Sequence, residues 1–451
     1  MLTTQPEQPP AGGAPRVVVA GAGFGGLAAA RRLAQAGVHT TLIDRNVYAS
    51  FQPLLYQVAT GGLASSDVAY PVRDASRRHG MLFRHGELAG LDPAARQITL
   101  ADGATAGYDY LILATGVAAY HGVPGAAKHS LGLYTRHDAI VLRDAIMAAL
   151  DRISRTGLRE DVAVTVIGGG ATGVELAGTL ADLCGNALPA YFPEIAPARV
   201  HITLVEHGPA LLAPFHPALG DYTRRQLAGR GVQVRLGTAV AEITAGKVVL
   251  ADGTDLASDI TVWAAGLAAP AAVSTWGLPQ GAGGRILTRP DLRVTGHDRI
   301  FAIGDIALTG GQPLPQLAQP ALQMGRHAAD QIRRLEAGQP TVPFRYRDLG
   351  IMATIGYRSA VVQLPHQVRV RGTLAWLAWF ALHLVALLGG RNRISALVNL
   401  SWRYLTWRHG SGGIVGDHPP ASPSPPNRPA APALHLGHHL PPAPDRRRWQ
   451  P

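Results

Sequence analysis

The feature that most restricts how this chain folds is a strand, a glycine-rich turn and a helix that together occur twice. Val17-Val-Val19 runs into Gly21-Ala-Gly23-Phe-Gly-Gly26, then an Ala-rich helix over residues 27–36 and a strand that stops on Asp44. An apolar strand at residues 164–167 runs into Gly168-Gly-Gly170-Ala-Thr-Gly173, a helix, and a strand that ends at Glu206. The first glycine permits the tight turn, the second lets the backbone approach a pyrophosphate, and the third lets helix and strand pack closely. Unpaired N–H groups and the positive helix end then receive the diphosphate. One such string is weak evidence, because glycine turns are common. Here each copy follows a β-branched strand, opens a helix and leads to a strand ending in an acid, as dinucleotide binding requires.

The repeat extends beyond the turns. Leu100-Ala-Asp-Gly103 recurs as Leu250-Ala-Asp-Gly253 and Leu113-Ala-Thr-Gly116 as Trp263-Ala-Ala-Gly266, both 150 positions apart, while Gly21 and Gly168 are 147 apart. A whole nucleotide-binding lobe is therefore duplicated. The expected fold is α/β: two Rossmann-like lobes, each with a small β meander around an Asp-Gly turn. Two dinucleotide sites in one chain imply electron transfer between two cofactors.

Four further stretches narrow the reading: Phe51-Gln-Pro-Leu-Leu-Tyr-Gln-Val-Ala-Thr60, Phe301-Ala-Ile-Gly-Asp-Ile-Ala307, Ala318-Gln-Pro-Ala-Leu-Gln323 and Met352-Ala-Thr-Ile-Gly356. With the lobes they span about residues 16–410, and the chain resembles the two-dinucleotide-binding flavoprotein oxidoreductases, specifically the type II NADH:quinone oxidoreductases. The resemblance implies FAD in the N-terminal lobe, NADH as exchanging substrate in the second, and a membrane quinone as electron acceptor. It implies a first part of the FAD lobe at 16–160, an NADH lobe at 161–284, a second part of the FAD lobe at 285–350 and a C-terminal membrane-docking region at 351–410. Residues expected at FAD are Gly21, Gly23, Gly26, Asp44, Gly116, Gly304, Asp305 and Ala321. Those expected at NADH are Gly168, Gly170, Gly173, Glu206 and Gly266. The 51–60 loop is expected close to the flavin and the quinone route.

Glu206 lies 33 residues past Gly173, beyond the usual spacing of about 20. The excess sits in residues 185–198, whose three prolines break the helix. A loop insertion leaves the strand's exit unchanged, so Glu206 keeps its place as the ribose acid. Its carboxylate repels a 2′-phosphate and favours NADH over NADPH. For chemistry, Gln319 and Gln323 share one helical face that by resemblance borders the quinone pocket. Glu175, in the first turn of the second helix, is the candidate proton carrier if burial raises its pKa.

Cysteine usage excludes close relatives. Cys184 is the only cysteine, so the redox pair of disulfide reductases and sulfide:quinone oxidoreductases is missing, and a reducing compartment fits. Cys184 reads as packing.

A net charge of +11 points to a polyanionic surface. No nucleic-acid motif is present, and the C-terminal region supplies a membrane pattern instead. From Arg371 to Arg408 there is no Asp or Glu, and tryptophans stand at 376, 379, 402 and 407. The apolar run 374–388 is too short for a span of about 20 residues. A following helix places Ile394, Leu397, Val398, Trp402 and Leu405 on one face and Asn399, Arg403 and Thr406 opposite, an interfacial pattern. Residues 372–408 are thus expected on an anionic lipid surface at the cytoplasmic face of the cell membrane, peripheral and without proton pumping. The resemblance adds a homodimer through the same region.

The first 15 residues read as a disordered lead, and residues 411–451 as a disordered Pro- and His-rich tail. His435, His438 and His439 lack rigid spacing, so no metal site is expected. Two alternatives share the lobes. One is a soluble NADH oxidase or ferredoxin-type reductase, and the other a redox-responsive NADH-binding flavoprotein with little turnover.

Overall fold

The computed structural model describes residues 15–155, 161–310 and 314–406. Most of the lead, the 411–451 tail with its histidines, Trp407 and Arg408 lie outside the described residues, as do the side chains of Leu405 and Thr406.

Each glycine turn sits in a five-stranded parallel sheet, and the two sheets have one strand order. The first runs Ile300–Ala302, Tyr110–Leu113, Arg16–Ala20, His39–Asp44, Leu82–His85. The second runs Leu131–Gly132, Ile260–Trp263, Val162–Ile167, Val200–Val205, Val232–Arg235. Central strands in both are near-continuous apolar runs, Tyr110–Leu113 and Ile260–Trp263 being buried at every position. Burial on both faces demands this of parallel strands flanked by helices.

Strand Ile300–Ala302 returns to the first sheet from beyond the second lobe and pairs with Tyr110–Leu113. Crossing in the other direction comes earlier than residue 161. Leu131–Gly132 already pairs with the Ile260–Trp263 strand, and the Arg136–Arg155 helix follows it.

The meanders also match. Leu88–Asp92, Gln97–Leu100 and Thr105–Gly107 form one antiparallel sheet; Val240–Thr244, Lys247–Leu250 and Asp255–Ala257 form its counterpart. Gly103 at φ 81° and Gly253 at φ 84° make the turns, a backbone region that favours glycine. After the second glycine-turn helix, Ala171–Asp182, a π-turn over Leu183–Ala187 and a short helix carry the proline-rich insertion.

The chain then adds an antiparallel sheet, Ile351–Gly356, Ser359–Gln363 and Arg369–Arg371, and helices Thr373–Ala386 and Gly390–Thr406. No helix among the described residues is long and apolar enough to cross a membrane. Leu374, Leu377, Leu382 and Val385 of the first helix are exposed, and so are Ile394, Leu397, Val398 and Trp402 of the second. The tryptophan expectation needs correction: Trp376 and Trp379 are buried, and only Trp402 among the described ones of this region is exposed. The two buried indoles fill space against Tyr357, Tyr56 and His383. Large aromatic rings gain most where they are enclosed.

The 51–60 stretch, expected as a loop, is a 3-10 turn over Gln52–Leu54 and a short helix over Leu55–Ala59, and it belongs to the core of the second lobe. Phe51, Leu54, Leu55, Tyr56, Val58 and Ala59 join one buried cluster with Val174 and Leu176 of the second glycine-turn helix and Trp376 and Trp379 of the C-terminal helices. This packing brings the nucleotide lobe, the loop and the outward-apolar helices to one place.

Candidate functional site

The two glycine turns have the same geometry. Gly21 is at φ 110° and Gly168 at φ 112°. A Cβ on Gly26 would collide with the Gly21 carbonyl oxygen, and one on Gly173 with that of Gly168. At Gly23 and Gly170, by contrast, a Cβ would meet nothing within 4 Å. First and third glycines are thus closed by backbone, while the second faces open space at the helix N-terminus.

The strand-end acids brace these turns. Asp44 accepts from the N–H groups of Ala22 at 2.6 Å and Asn46 at 2.7 Å. Glu206 accepts from Gly169 at 2.5 Å and Gly208 at 2.6 Å. Each carboxylate oxygen keeps a lone pair for a further donor. Burial raises the Asp44 pKa, opposed by its two backbone hydrogen bonds.

A second cradle lies where Gly116 and the Gly304-Asp305 turn meet. Gly116 is at φ 69° and Gly304 at φ 69°. A Cβ on Gly304 would stand 3.3 Å from that of Ala321, and one on Gly116 would stand 3.8 Å from the Tyr134 hydroxyl. Burial lifts the Asp305 carboxyl to about 6, with Arg285 opposing. Arg285 braces the turn, donating to the carbonyls of Asp305 at 2.8 Å and Ala307 at 2.6 Å. Tyr134 is pushed up to about 12, first by burial and then by the Asp305 charge. In the other lobe Gly266, at φ 68°, lies against Tyr120. A short ladder between Ala118–Ala119 and Leu267–Ala268 joins the two lobes beside it.

Glu175 occupies the junction of the second lobe with the C-terminal region. It is buried, and burial pushes its pKa up to about 8 against the opposing hydrogen bond from the Thr354 N–H at 3.3 Å. The indole of Trp379 also favours the charged form, although its Nε1–H makes no well-aligned hydrogen bond among the described residues. The buried Tyr56 hydroxyl likewise makes no well-aligned hydrogen bond among the described residues. Its pKa is raised well above the usual value, by burial first and the Glu175 charge second, although the Gln57 side chain stands close enough to oppose the rise. Ring centroids of Tyr56 and Trp379 are 6.1 Å apart.

An aromatic path leads from this junction back to the first turn. His383 stacks on Trp379 at 4.2 Å, Phe51 meets His383 edge-on at 6.2 Å, and Phe24 meets Phe51 at 5.7 Å. Phe24 opens the first glycine-turn helix. Burial lowers the His383 pKa to about 4, so its imidazole is neutral.

The two glutamines separate. Gln323 donates to the Arg347 carbonyl and accepts from the Arg347 N–H, both at 3.0 Å, so its amide anchors a crossing segment. Gln319 is half-buried near the start of the same helix. Tyr134 and Arg285 go unmarked in the sequence, Thr354 figures there only as part of the 352–356 stretch, and Trp379 and Arg403 only as parts of the membrane-docking pattern. Arg403 carries the signal of a cation on the polar side of an amphipathic helix.

Comparison with known proteins agrees with this geometry. The family model described as pyridine nucleotide-disulphide oxidoreductase matches residues 15–325. The type II NADH:quinone oxidoreductase NdhA of Mycobacterium tuberculosis is 37% identical over 419 residues, 88% of each chain. Ndh of the same organism is 34% identical over 430 residues, 90% of this chain and 92% of that one. Among solved structures, NDH2 from Plasmodium falciparum in complex with NADH has a TM-score of 0.81 at 18% identity, covering 87% of this chain and 99% of that one. The chain therefore belongs to the pyridine nucleotide-disulphide oxidoreductase family and, within it, to the type II NADH:quinone oxidoreductases.

Proposed function

We propose that this protein is an FAD-dependent NADH:quinone oxidoreductase that works as a peripheral enzyme on a membrane, with Glu175 as its proton carrier. The observation that carries the reading is a buried carboxyl, held by the Thr354 N–H, between a nucleotide-binding turn and a pair of helices whose outer faces are apolar.

The residues present fit FAD and NADH. Gly23 and Gly170 leave open space where a pyrophosphate needs close backbone approach, and neither turn carries a side chain that fills it. Gly21, Gly26, Asp44, Gly116, Gly304, Asp305 and Ala321 would hold FAD. Gly168, Gly173, Glu206 and Gly266 would hold NADH. When bound, FAD supplies an acceptor for hydride and a donor of electrons to quinone.

The chain's own residues do the rest. Glu206 and Asp44 accept ribose hydroxyls and hold the turns in shape. Glu175, protonated at neutral pH, donates a proton at its carboxyl to a reduced quinone oxygen and is refilled from solvent. The hydroxyl of Tyr56 and the indole N–H of Trp379 orient a quinone carbonyl beside it. Gln319, half-buried at the start of the returning helix, is left free among the described residues to meet a quinone carbonyl, while Gln323 holds the segment at Arg347 in place.

Outward leucine, isoleucine, valine and tryptophan on the C-terminal helices supply the lipid-facing surface. Exposed Arg369, Arg371, Arg391 and Arg393 around them suit anionic headgroups and the cytoplasmic side. The same outward face is available for pairing of two copies.

The test is anaerobic reduction of the purified protein's flavin by NADH, followed by addition of a short-chain quinone. Rapid bleaching and quinone-driven recovery are expected. Bleaching without recovery would leave the nucleotide lobes standing and remove the quinone assignment.

A further inference from the structure

Helix Gly390–Thr406 carries a polar stripe toward the protein. Ile394, Leu397, Val398 and Trp402 are apolar and exposed, while Asn392, Ser395, Asn399 and Arg403 recur at three- and four-residue steps as an inward stripe beside the buried Ala396 and Leu400. Every member of that stripe bonds the same short stretch of chain. Asn392 Nδ2 donates to the Ala69 carbonyl at 2.9 Å, Ser395 Oγ to Asp67 Oδ1 at 2.7 Å, and Asn399 Nδ2 to Asp67 Oδ2 at 2.8 Å. Arg403 Nη1 donates to Gln57 Oε1 at 3.1 Å, and Gln57 Nε2 to the Tyr404 hydroxyl at 3.3 Å.

Asp67 is only 4% exposed, and its Oδ2 also accepts the Ala64 N–H at 3.0 Å. A buried carboxylate held by neutral donors is tolerated only when each donor is in place. These bonds therefore fix the register between the helix and residues 57–69. Gly62 makes room, since a Cβ there would overlap the Arg403 guanidinium.

The geometry points to Asp67, Ser395 and Asn399 as positioning residues for quinone reduction. They touch neither nucleotide turn nor Glu175. They act through the segment they hold, whose first residues set Tyr56 against Trp379 and Gln57 against Arg403. The helix thus has one face for lipid and the other for the quinone-side loop. This inference rests on the reading of the Glu175 junction as the quinone site.

The experiment uses the FAD-loaded full chain and two readouts, flavin bleaching by NADH and reoxidation by a short-chain quinone. Asp67→Asn and Asn399→Ala are each expected to raise the quinone KM about tenfold, the loss of one charge-assisted hydrogen bond. Flavin content and bleaching rate stay at the wild-type level. The exchanged pair Asp67→Asn with Asn399→Asp, which restores an amide-to-carboxylate bond in the reverse sense, recovers part of the loss. A general packing defect would reduce flavin content and would not respond to the exchange. Unchanged quinone KM in both single variants, with wild-type turnover intact, overturns the positioning role alone. Wild-type enzyme that quinone cannot reoxidise overturns it together with the reading beneath it.

Discussion

Thr354 donates its backbone N–H to the Glu175 carboxyl at 3.3 Å, tying the second glycine-turn helix to the sheet that leads into the outward-apolar helices. Close backbone packing makes that contact available. Gly178, one turn further along the helix, has no room for a Cβ against the Ile355 carbonyl. Glu175 is the fifth residue of this helix, which begins at Ala171, and so lies one turn deeper than the first-turn position the sequence suggested. A helix that approaches a strand this closely carries that acid into the interior. There burial keeps it protonated to about pH 8.

Quinone reduction is accordingly expected to be fast below pH 8 and to fall as pH rises through about 8, because only the protonated carboxyl delivers a proton. Glu175→Gln removes that limb and lowers quinone-driven reoxidation by roughly 100-fold. Bleaching by NADH changes little. Stopped-flow traces across the pH range separate the two; an unaltered pH profile in the variant would remove Glu175 from the proton path.

The same group affects stability. Its folded pKa, about 8, lies above the unfolded value near 4.5, so the folded state binds the proton more tightly. That contribution is fully present below pH 4.5 and is lost as pH rises through about 8. Glutamine cannot ionise, so Glu175→Gln gains on the wild type through this window and exceeds it above pH 8, by several kcal/mol at most. Urea midpoints at acidic and alkaline pH test the sign.

Much of this was legible in the sequence, because glycine turns and their acids are local. The Gly21 and Gly168 turns, the meanders and the placing of Asn399 and Arg403 opposite the apolar face all follow from spacing within one element, whereas what that polar face binds does not. What escaped was set by packing between distant elements. Trp376 and Trp379 read as interfacial from their neighbours, yet Tyr56 and Tyr357 arrive from elsewhere to enclose them. Arg285 bracing the Asp305 turn and Gln323 binding the Arg347 backbone likewise depend on contacts no local pattern encodes.

In the proposed function Glu206 governs the choice of nucleotide. Its carboxylate braces Gly169 and Gly208, and a strand-end acid after such a turn is suited to a ribose 2′-hydroxyl and repels a 2′-phosphate. Glu206→Gln keeps one acceptor and removes the charge. NADPH-driven bleaching is expected to rise about tenfold in kcat/KM and NADH-driven bleaching to fall by a similar factor. Equal losses with both nucleotides would mean that the acid only supports the turn.

The duplicated turns are separable. Gly173→Ala drives a Cβ into the Gly168 carbonyl, so the second turn opens while the first is untouched. The purified variant should retain its flavin and bleach with dithionite, yet lose NADH bleaching by more than about 100-fold. Gly26→Ala makes the same collision with Gly21 and should be recovered without flavin. Loss of flavin from both variants would show that the lobes do not fold independently enough for this distinction.

Membrane attachment is tested on the outer face, away from the buried stripe. Leu397 and Val398 are exposed and next to each other on Gly390–Thr406, while Ala396 and Leu400 on the same helix are buried. Each exposed apolar side chain gains about 2 kcal/mol on full transfer from water to an apolar surface, and the arginines add about 1 kcal/mol each near anionic headgroups. Leu397→Glu with Val398→Glu reverses both terms without touching Asn399 or Arg403. Sedimentation with liposomes containing anionic lipid should recover the wild type in the pellet and leave the double variant in the supernatant. Reduction of a water-soluble short-chain quinone stays intact. Neutral liposomes should bind the wild type more weakly, and raised salt should shrink the difference between lipid compositions. If the double variant still sediments with the vesicles, this helix face does not contact lipid, and the Leu374, Leu377 and Val385 face becomes the one to change.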